Sequence, residues 1–201
     1  NLSVWSMLHA FISVAPWFLF FVAIEHLGKT ELAISNITRS VSAIFFVIAN
    51  SFAVTTSSLV SNAIGARARN ELFPICHKVL KLGYAVGIPF VVVALLCNRW
   101  IVSFYTDNEL LIELAFAPFV VMLLNYTFAL PGYVYLNAVG GTGKTKITFL
   151  FQVTTTCVYL VYLYWLSFCI KASLSLYLTA EYLFVILLAL QSIIHLKSKH
   201  Y

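Results

Sequence analysis

Charge is what this sequence has least of. Only 9% of its 201 residues are Asp, Glu, Lys or Arg, against roughly 25% in a soluble globular domain. With 62% hydrophobic residues, too few polar side chains remain to coat a water-facing surface. An ordinary soluble enzyme is excluded, and a lipid bilayer is the apolar solvent such a chain needs. Paired cysteines are also missing. Cys76, Cys97, Cys157 and Cys169 are scattered in or near apolar stretches with no C-x-x-C spacing, so they read as small buried hydrophobes, with no metal site or disulfide framework indicated. No basic flank precedes the first apolar stretch and no small-residue cleavage site follows it, so it does not read as a signal peptide. The chain starts at Asn1 and is expected to be a piece of a longer protein.

A true nucleotide-binding loop is lacking too, although "NAVGGTGKTK", Asn137 to Lys146, invites that reading. The motif G-x-x-x-x-G-K-[ST] follows a strand and opens a helix. Here its first glycine would stand at Ala138, and the residues before it end an apolar segment. Nucleotide binding and ATP hydrolysis are not expected, and neither is any enzymatic activity. The glycines read as a helix stop and a tight turn.

What the sequence does have is long uncharged runs. Asn1–Ile24, Ser40–Ala66, Leu82–Asn98, Leu114–Gly143 and Ile147–Ile170 carry no charge, and Ala172–Leu196 carries only Glu181. A helix needs about 20 residues to cross the hydrocarbon, and in lipid a backbone must satisfy its own hydrogen bonds. The fold expected is an all-α integral membrane lobe of six transmembrane helices over residues 1–201, with spans near 4–26, 38–66, 80–104, 112–139, 147–170 and 174–196. Strands of a barrel would show alternating runs of about 10 residues, which are absent.

Six spans alternate the loops. Arg67, Arg69, Lys78, Lys81, Lys144, Lys146, Lys197 and Lys199 fall on one side; Lys29, Arg39, Arg99 and Lys171 fall on the other. Lys and Arg mark the cytoplasmic side, so a multi-pass protein of the cell membrane with both chain ends inside is expected. Six of the seven acids lie outside. The net charge of +5 is a topology signal, and no nucleic-acid partner is implied.

Within the spans the second is the unusual one. On a helical wheel Asn36, Ser40, Asn50, Ser51, Ser57, Ser58, Ser61 and Asn62 share a side, with Phe45, Ile48, Phe52 and Leu59 opposite. Such a stripe avoids lipid; it packs against other helices or lines a cavity. Asn50, Ser57, Asn125, Asn137 and Gln152 are the candidate substrate contacts. Pro16, Pro89, Pro118 and Pro131 fall in or near spans, and Pro131-Gly132 is the candidate hinge. Glu25, Arg39, Glu113 and Glu181 are expected near span ends, within reach of the interface. His9 sits alone in the first span and reads as structural. Trp100 and Tyr105 belong to an interfacial belt.

Three stretches resemble the multidrug and toxin extrusion (MATE) transporters: "EHLGKTELAISNI" (Glu25–Ile37), "SSLVSNAIGARARNELF" (Ser57–Phe73) and "NAVGGTGKTK". The last is similar to a loop that family usually writes alanine-leucine-arginine-glycine-x-glycine-aspartate-threonine; Gly140 stands in place of the arginine and Lys144 in place of the aspartate. The resemblance implies the C-terminal lobe of a twelve-helix transporter, with an N-terminal lobe outside this chain. It also implies antiport of organic cations or amphipathic drugs and toxins against Na+ or H+ by alternating access. One branch of that family binds its cation through a glutamate on this lobe's first helix and an aspartate on its fourth. Those positions fall near Ser13 and Ala129, so the coupling ion is expected in the other lobe and no further cofactor is implied. A lipid-linked oligosaccharide flippase of the same superfamily and a non-transporting membrane scaffold subunit are the alternatives.

The topology makes a direct prediction. With the native cysteines replaced by alanine, single cysteines introduced at Lys78 and Lys144 should react with an impermeant maleimide from the same face of a sealed vesicle. Labelling from opposite faces would break the six-span reading.

Overall fold

The computed structural model describes residues 2–25, 27–170 and 172–198, with side chains for all of these except 2–6, 9, 10, 13, 15, 169 and 170. The side chains of His9, Ser13 and Cys169, and the whole of Lys171 and Lys199, lie outside the described residues.

Among the described residues the chain is helical between short turns. The helices are α1 (Leu2–Glu25), α2 (Lys29–Gly65), α3 (Leu72–Leu96), α4 (Asn98–Ser103), α5 (Glu109–Leu114), α6 (Phe116–Leu124), α7 (Tyr126–Gly141), α8 (Thr145–Trp165) and α9 (Leu174–Ser198). A 3₁₀ turn, Arg69–Glu71, leads into α3, and a π-helical turn, Leu166–Ile170, ends α8. Five helical runs are long and apolar enough to cross a membrane: Lys29–Gly65, Arg69–Leu96, Glu109–Gly141, Thr145–Phe168 and Leu174–Ser198. α1, 24 residues long, is a sixth helix, apolar over Pro16–Glu25.

The helices overrun the uncharged gaps. α2 starts at Lys29, well before residue 38, and α3 starts at Leu72, not near 80. A helix continues into water for as long as its charged end can be hydrated, so charges mark where hydrocarbon stops, not where a helix stops. At about 1.5 Å per residue, the 37 residues of α2 exceed the roughly 30 Å of the hydrocarbon core. The fourth expected span is one helical run, Glu109–Gly141, divided into α5, α6 and α7 at Ala115 and Asn125; both residues keep right-handed helical dihedrals, and Ala129 N–H donates to Asn125 O at 2.8 Å.

α7 is the centre of the bundle. It packs against α2, α3, α8 and α9, and ten of its sixteen residues are buried. Close approach is made possible by glycines. A Cβ on Gly141 would lie 2.5 Å from the Ser57 backbone oxygen of α2, and one on Gly132 would lie 2.7 Å from the Val185 oxygen of α9. At the first crossing Ser61 Oγ donates to the Gly141 carbonyl at 2.8 Å. Pro131 cannot donate to the carbonyl four residues back, that of Thr127. Tyr84 of α3 supplies a donor there, its hydroxyl lying 2.7 Å from Thr127 O. α7 ends in a turn closed by Gly143 N–H to Gly140 O at 2.9 Å, with Gly143 at φ 83°, a conformation that favours glycine. Gly140 and Gly141 thus stand inside α7, Gly141 at the crossing with α2, and the expected tight turn is at Gly143.

The outside of the bundle is apolar where lipid would touch it. On α3, Leu82, Val86, Phe90 and Val93 are exposed; on α8, Leu150, Val158 and Val161, and on the π-helical turn after it, Phe168. α2 is mixed: Asn36, Ser40, Ser51, Thr55, Ser58 and Asn62 are exposed on one side of it together with Ile44, Val47 and Val54, while Phe45, Ala49, Thr56 and Val60 are buried.

The Gly141 crossing can be tested by substitution. Gly141→Val should lower the unfolding temperature of the detergent-solubilised protein, with overpacking costing about 1–3 kcal/mol. Gly65→Ala, where a Cβ meets nothing within 4 Å, should be neutral or mildly stabilising in a thermal melt.

Candidate functional site

A cavity of about 500 Å³ opens beside α2, within the size range of sites for small organic molecules. It brings together residues from five helices. Asn50 and Phe46 come from α2, Asn137 and Tyr133 from α7, Gln152 from α8, Glu181 and Phe184 from α9, and Trp17 from α1. Three of the five sequence-predicted contacts, Asn50, Asn137 and Gln152, therefore share one cavity. Asn125 lines a smaller adjoining cavity of about 50 Å³, together with Ala129, Ser42 and Met122. Its Oδ1 is buried with no hydrogen-bond partner among the described residues. Trp17, Phe46, Tyr133 and Glu181 line both cavities and form the wall between them. Ser57 lies elsewhere, its backbone against Gly141 at the α2–α7 crossing. Pro131 and Gly132 sit within unbroken α7, Gly132 against α9.

Helix direction explains the cavity's shape. α7 runs toward the end of the bundle at which α8 begins, and α9 begins at the opposite end. Asn137, one turn before the end of α7, and Gln152, two turns into α8, therefore lie toward one end, and Glu181, two turns into α9, toward the other.

Glu181 and Arg39 correct the expectation that they reach the interface. Arg39 is the eleventh residue of α2 and is buried; its Nη2 donates to Glu181 Oε1 at 2.6 Å, with side-chain exposures of 3% and 11%. Counted as a loop charge, Arg39 belongs to neither side, leaving Lys29, Arg99 and Lys171 against the eight opposite. Burying both charges is costly unless they are paired and hydrogen-bonded. Tyr159 of α8 donates a second bond to the same Oε1 at 3.2 Å. The guanidinium also lies 4.8, 4.0 and 5.4 Å from the ring centroids of Trp17, Phe20 and Phe21. Each ring face attracts a cation. Nε and Nη1 of Arg39 have no hydrogen-bond partner among the described residues, so the rings are the remaining stabilisation on that flank. The carboxylate faces the cavities; the cation is hidden behind aromatic rings.

The sequence carries a signal for this pair. Both charges fall about two to three turns into helices that begin at the same end of the bundle, and each stands alone in an apolar run. Opposite charges at equal depth in hydrocarbon have strong reason to meet.

The sequence model of the MatE family matches residues 6–166. No curated protein sequence matches the chain. Among solved structures the chain is similar to a MATE protein in its bent conformation, with 18% identity and a TM-score of 0.83 over 96% of this chain and 43% of that one. It is also similar to a multidrug resistance MATE family transporter of the MOP superfamily in its inward-facing conformation, at 19% identity and a TM-score of 0.81 over 94% of this chain and 43% of the other. A MOP superfamily transporter from Pyrococcus furiosus, described as having a binding pocket of reverse polarity, matches at 18% identity and a TM-score of 0.78 over 96% and 42%. The chain spans less than half the length of each.

The pair's two halves should differ in a stability experiment. Arg39→Met leaves a buried carboxylate with only Tyr159, and should destabilise by roughly 3–5 kcal/mol at neutral pH. Glu181→Gln leaves the guanidinium an acceptor and three rings, and should cost clearly less. Equal losses in chemical unfolding would remove the rings from this account.

Proposed function

The chain belongs to the MatE family, and from that premise we propose that it forms one six-helix half of a multi-pass secondary transporter that moves amphipathic or cationic organic solutes out of the cell. The observation that carries this reading is the cavity lined by Asn50, Asn137, Gln152, Glu181 and the rings of Trp17, Phe46, Tyr133 and Phe184. Rings supply apolar contact and cation-attracting faces, the carboxamides orient a solute through hydrogen bonds, and one carboxylate gives the lining a negative point.

The polar exposed stripe of α2 belongs to the same reading. Ser40, Ser51 and Thr55 donate to carbonyls of their own helix, but lipid does not solvate the carboxamides of Asn36 and Asn62 on the same face. That face belongs against a second lobe and the aqueous cleft between the two, and the fraction of the solved transporters that this chain spans is consistent with a second lobe. Alternating access would then open the cleft first to one side and then to the other. The loop basic residues favour a cell-membrane orientation with residues 67–81 and 144–146 cytoplasmic.

The flippase alternative needs a positive cavity for a pyrophosphate. Arg39 does not supply one: it is paired with Glu181 and 3% exposed. A scaffold subunit would have no use for a cavity of this size.

Full-length protein reconstituted in liposomes should release preloaded ethidium when an opposing proton or sodium gradient is imposed, and should not do so without one. Asn137→Ala or Gln152→Ala should weaken ethidium affinity roughly fivefold, the equivalent of one lost hydrogen bond of about 1 kcal/mol. Gradient-independent leakage, or flux indifferent to both substitutions, would count against the proposal.

A further inference from the structure

We infer that the first half of α3 is a seat for an anionic phospholipid, with Lys78 and Lys81 holding the phosphate and the apolar face beyond them holding the acyl chains. The seat lies outside the cavity and stands whatever solute the chain moves.

α3 sorts its residues sharply. On a 3.6-residue helix, Lys78, Lys81, Leu82, Val86, Val93 and Leu96 fall on one side, and all are exposed. Cys76, Val79, Gly83, Gly87, Val91 and Ala94 fall on the other, and all are buried. The two lysines therefore stand in line with the apolar surface that meets lipid. They are not on the mixed polar face of α2.

Depth agrees with azimuth. From Lys81 to Arg99, the next Lys or Arg, the chain advances eighteen residues. It does so through α3 and α4, whose helical hydrogen bonds continue across Cys97: its N–H donates to Val93 O, and its carbonyl accepts from Ile101 N–H, both at 2.9 Å. That is about 27 Å at 1.5 Å per residue, against roughly 30 Å of hydrocarbon. Trp100, exposed beside Arg99, suits the interface at that end. Lys78 and Lys81 then stand at the opposite interface, at the level of headgroup phosphates. Residues three apart on a helix are neighbours, with Cβ atoms about 5–6 Å apart, so two ammonium groups on flexible stems can meet one phosphate.

Charge chooses the lipid. Arg67 and Arg69, both exposed, precede the lysines in the turn before α3, and Lys146 and Lys197 lie at the same end of the bundle. Glu71 is the one acid at that end among the described residues. The ion pairs among the described residues join Arg39 to Glu181 and Arg99 to Glu109, and neither engages Lys78 or Lys81. Clustered Lys and Arg at a membrane surface attract anionic headgroups. A choline headgroup would instead bring a second fixed cation against the lysines. A soluble polyanion would meet the lysines and leave the apolar face beside them unused.

Photo-crosslinking of the full-length protein in non-ionic detergent tests the seat, using lipids that carry a diazirine in the acyl chain next to the ester. Phosphatidylglycerol should label the peptide spanning residues 78–86 more than phosphatidylcholine does, on the order of tenfold. Lys78→Gln with Lys81→Gln should bring phosphatidylglycerol down to the phosphatidylcholine level, and Lys78→Arg with Lys81→Arg should restore the preference. Arg99→Gln, at the other interface, should leave it unchanged. Inorganic phosphate at matched ionic strength should not displace the lipid, because it has no chains to lie on Leu82 and Val86. Equal labelling by the two lipids, an unaltered preference in the double glutamine variant, or displacement by inorganic phosphate would each overturn the proposal. So would an absence of labelling by either lipid, which would mean that another part of the protein covers this face.

Discussion

Hydrocarbon as solvent is the constraint from which the rest of this structure follows. A backbone in lipid has no water to satisfy its N–H and C=O groups, so helix is the only local structure open to the uncharged runs. Side chains that would be a core in water become the outer surface here: Leu82, Val86, Phe90 and Val93 of α3 face outward. Apolar burial no longer separates inside from outside, and the bundle must be held by fit and by polar contacts. α7 shows the fit. Gly132 and Gly141 bring its backbone against those of α9 and α2, and Tyr84 fills the hydrogen-bonding gap that Pro131 creates at Thr127.

The same constraint makes each polar side chain informative. In water a serine stripe is unremarkable; in a membrane protein it marks a face that lipid does not touch. α2 exposes Asn36, Ser58 and Asn62 among apolar neighbours, and a cavity of about 500 Å³ with polar groups in its lining lies beside it. The side chains that reach the cavity come from α1, α2, α7, α8 and α9, so its shape depends on how five helices meet and not on any single loop. Arg39 and Glu181 join two of those helices, and Trp17, Phe20 and Phe21 bring in α1. An ion pair in this position links the packing of the bundle to the charge of the cavity wall.

Much of this was legible in one dimension. Uncharged runs separated by charges marked the apolar helical segments, because the cost of a charge in lipid is large and local; how each segment divides into helices was not legible from them. The turn at Gly143 could be read from residue chemistry, and so could the failure of "NAVGGTGKTK" as a nucleotide loop. Asn50, Asn137 and Gln152 stood out for the same reason: a carboxamide within an apolar run needs a polar partner or a cavity. Ser57 met the same criterion yet went to a helix crossing, because a small residue serves close packing as well as it serves a ligand.

What composition and spacing determined by themselves, then, was the solvent, the secondary structure and the family pattern. These depend on one residue and its neighbours along the chain. Tertiary structure alone decided that Arg39, far from Glu181 in sequence, lies 2.6 Å from it, that three aromatic rings stand behind the guanidinium, and that the carboxylate faces a cavity. A side chain's depth is encoded along a helix, but its azimuth relative to other helices is set only when the helices pack. That is why the charges looked like span ends in the sequence and form a buried pair in the fold.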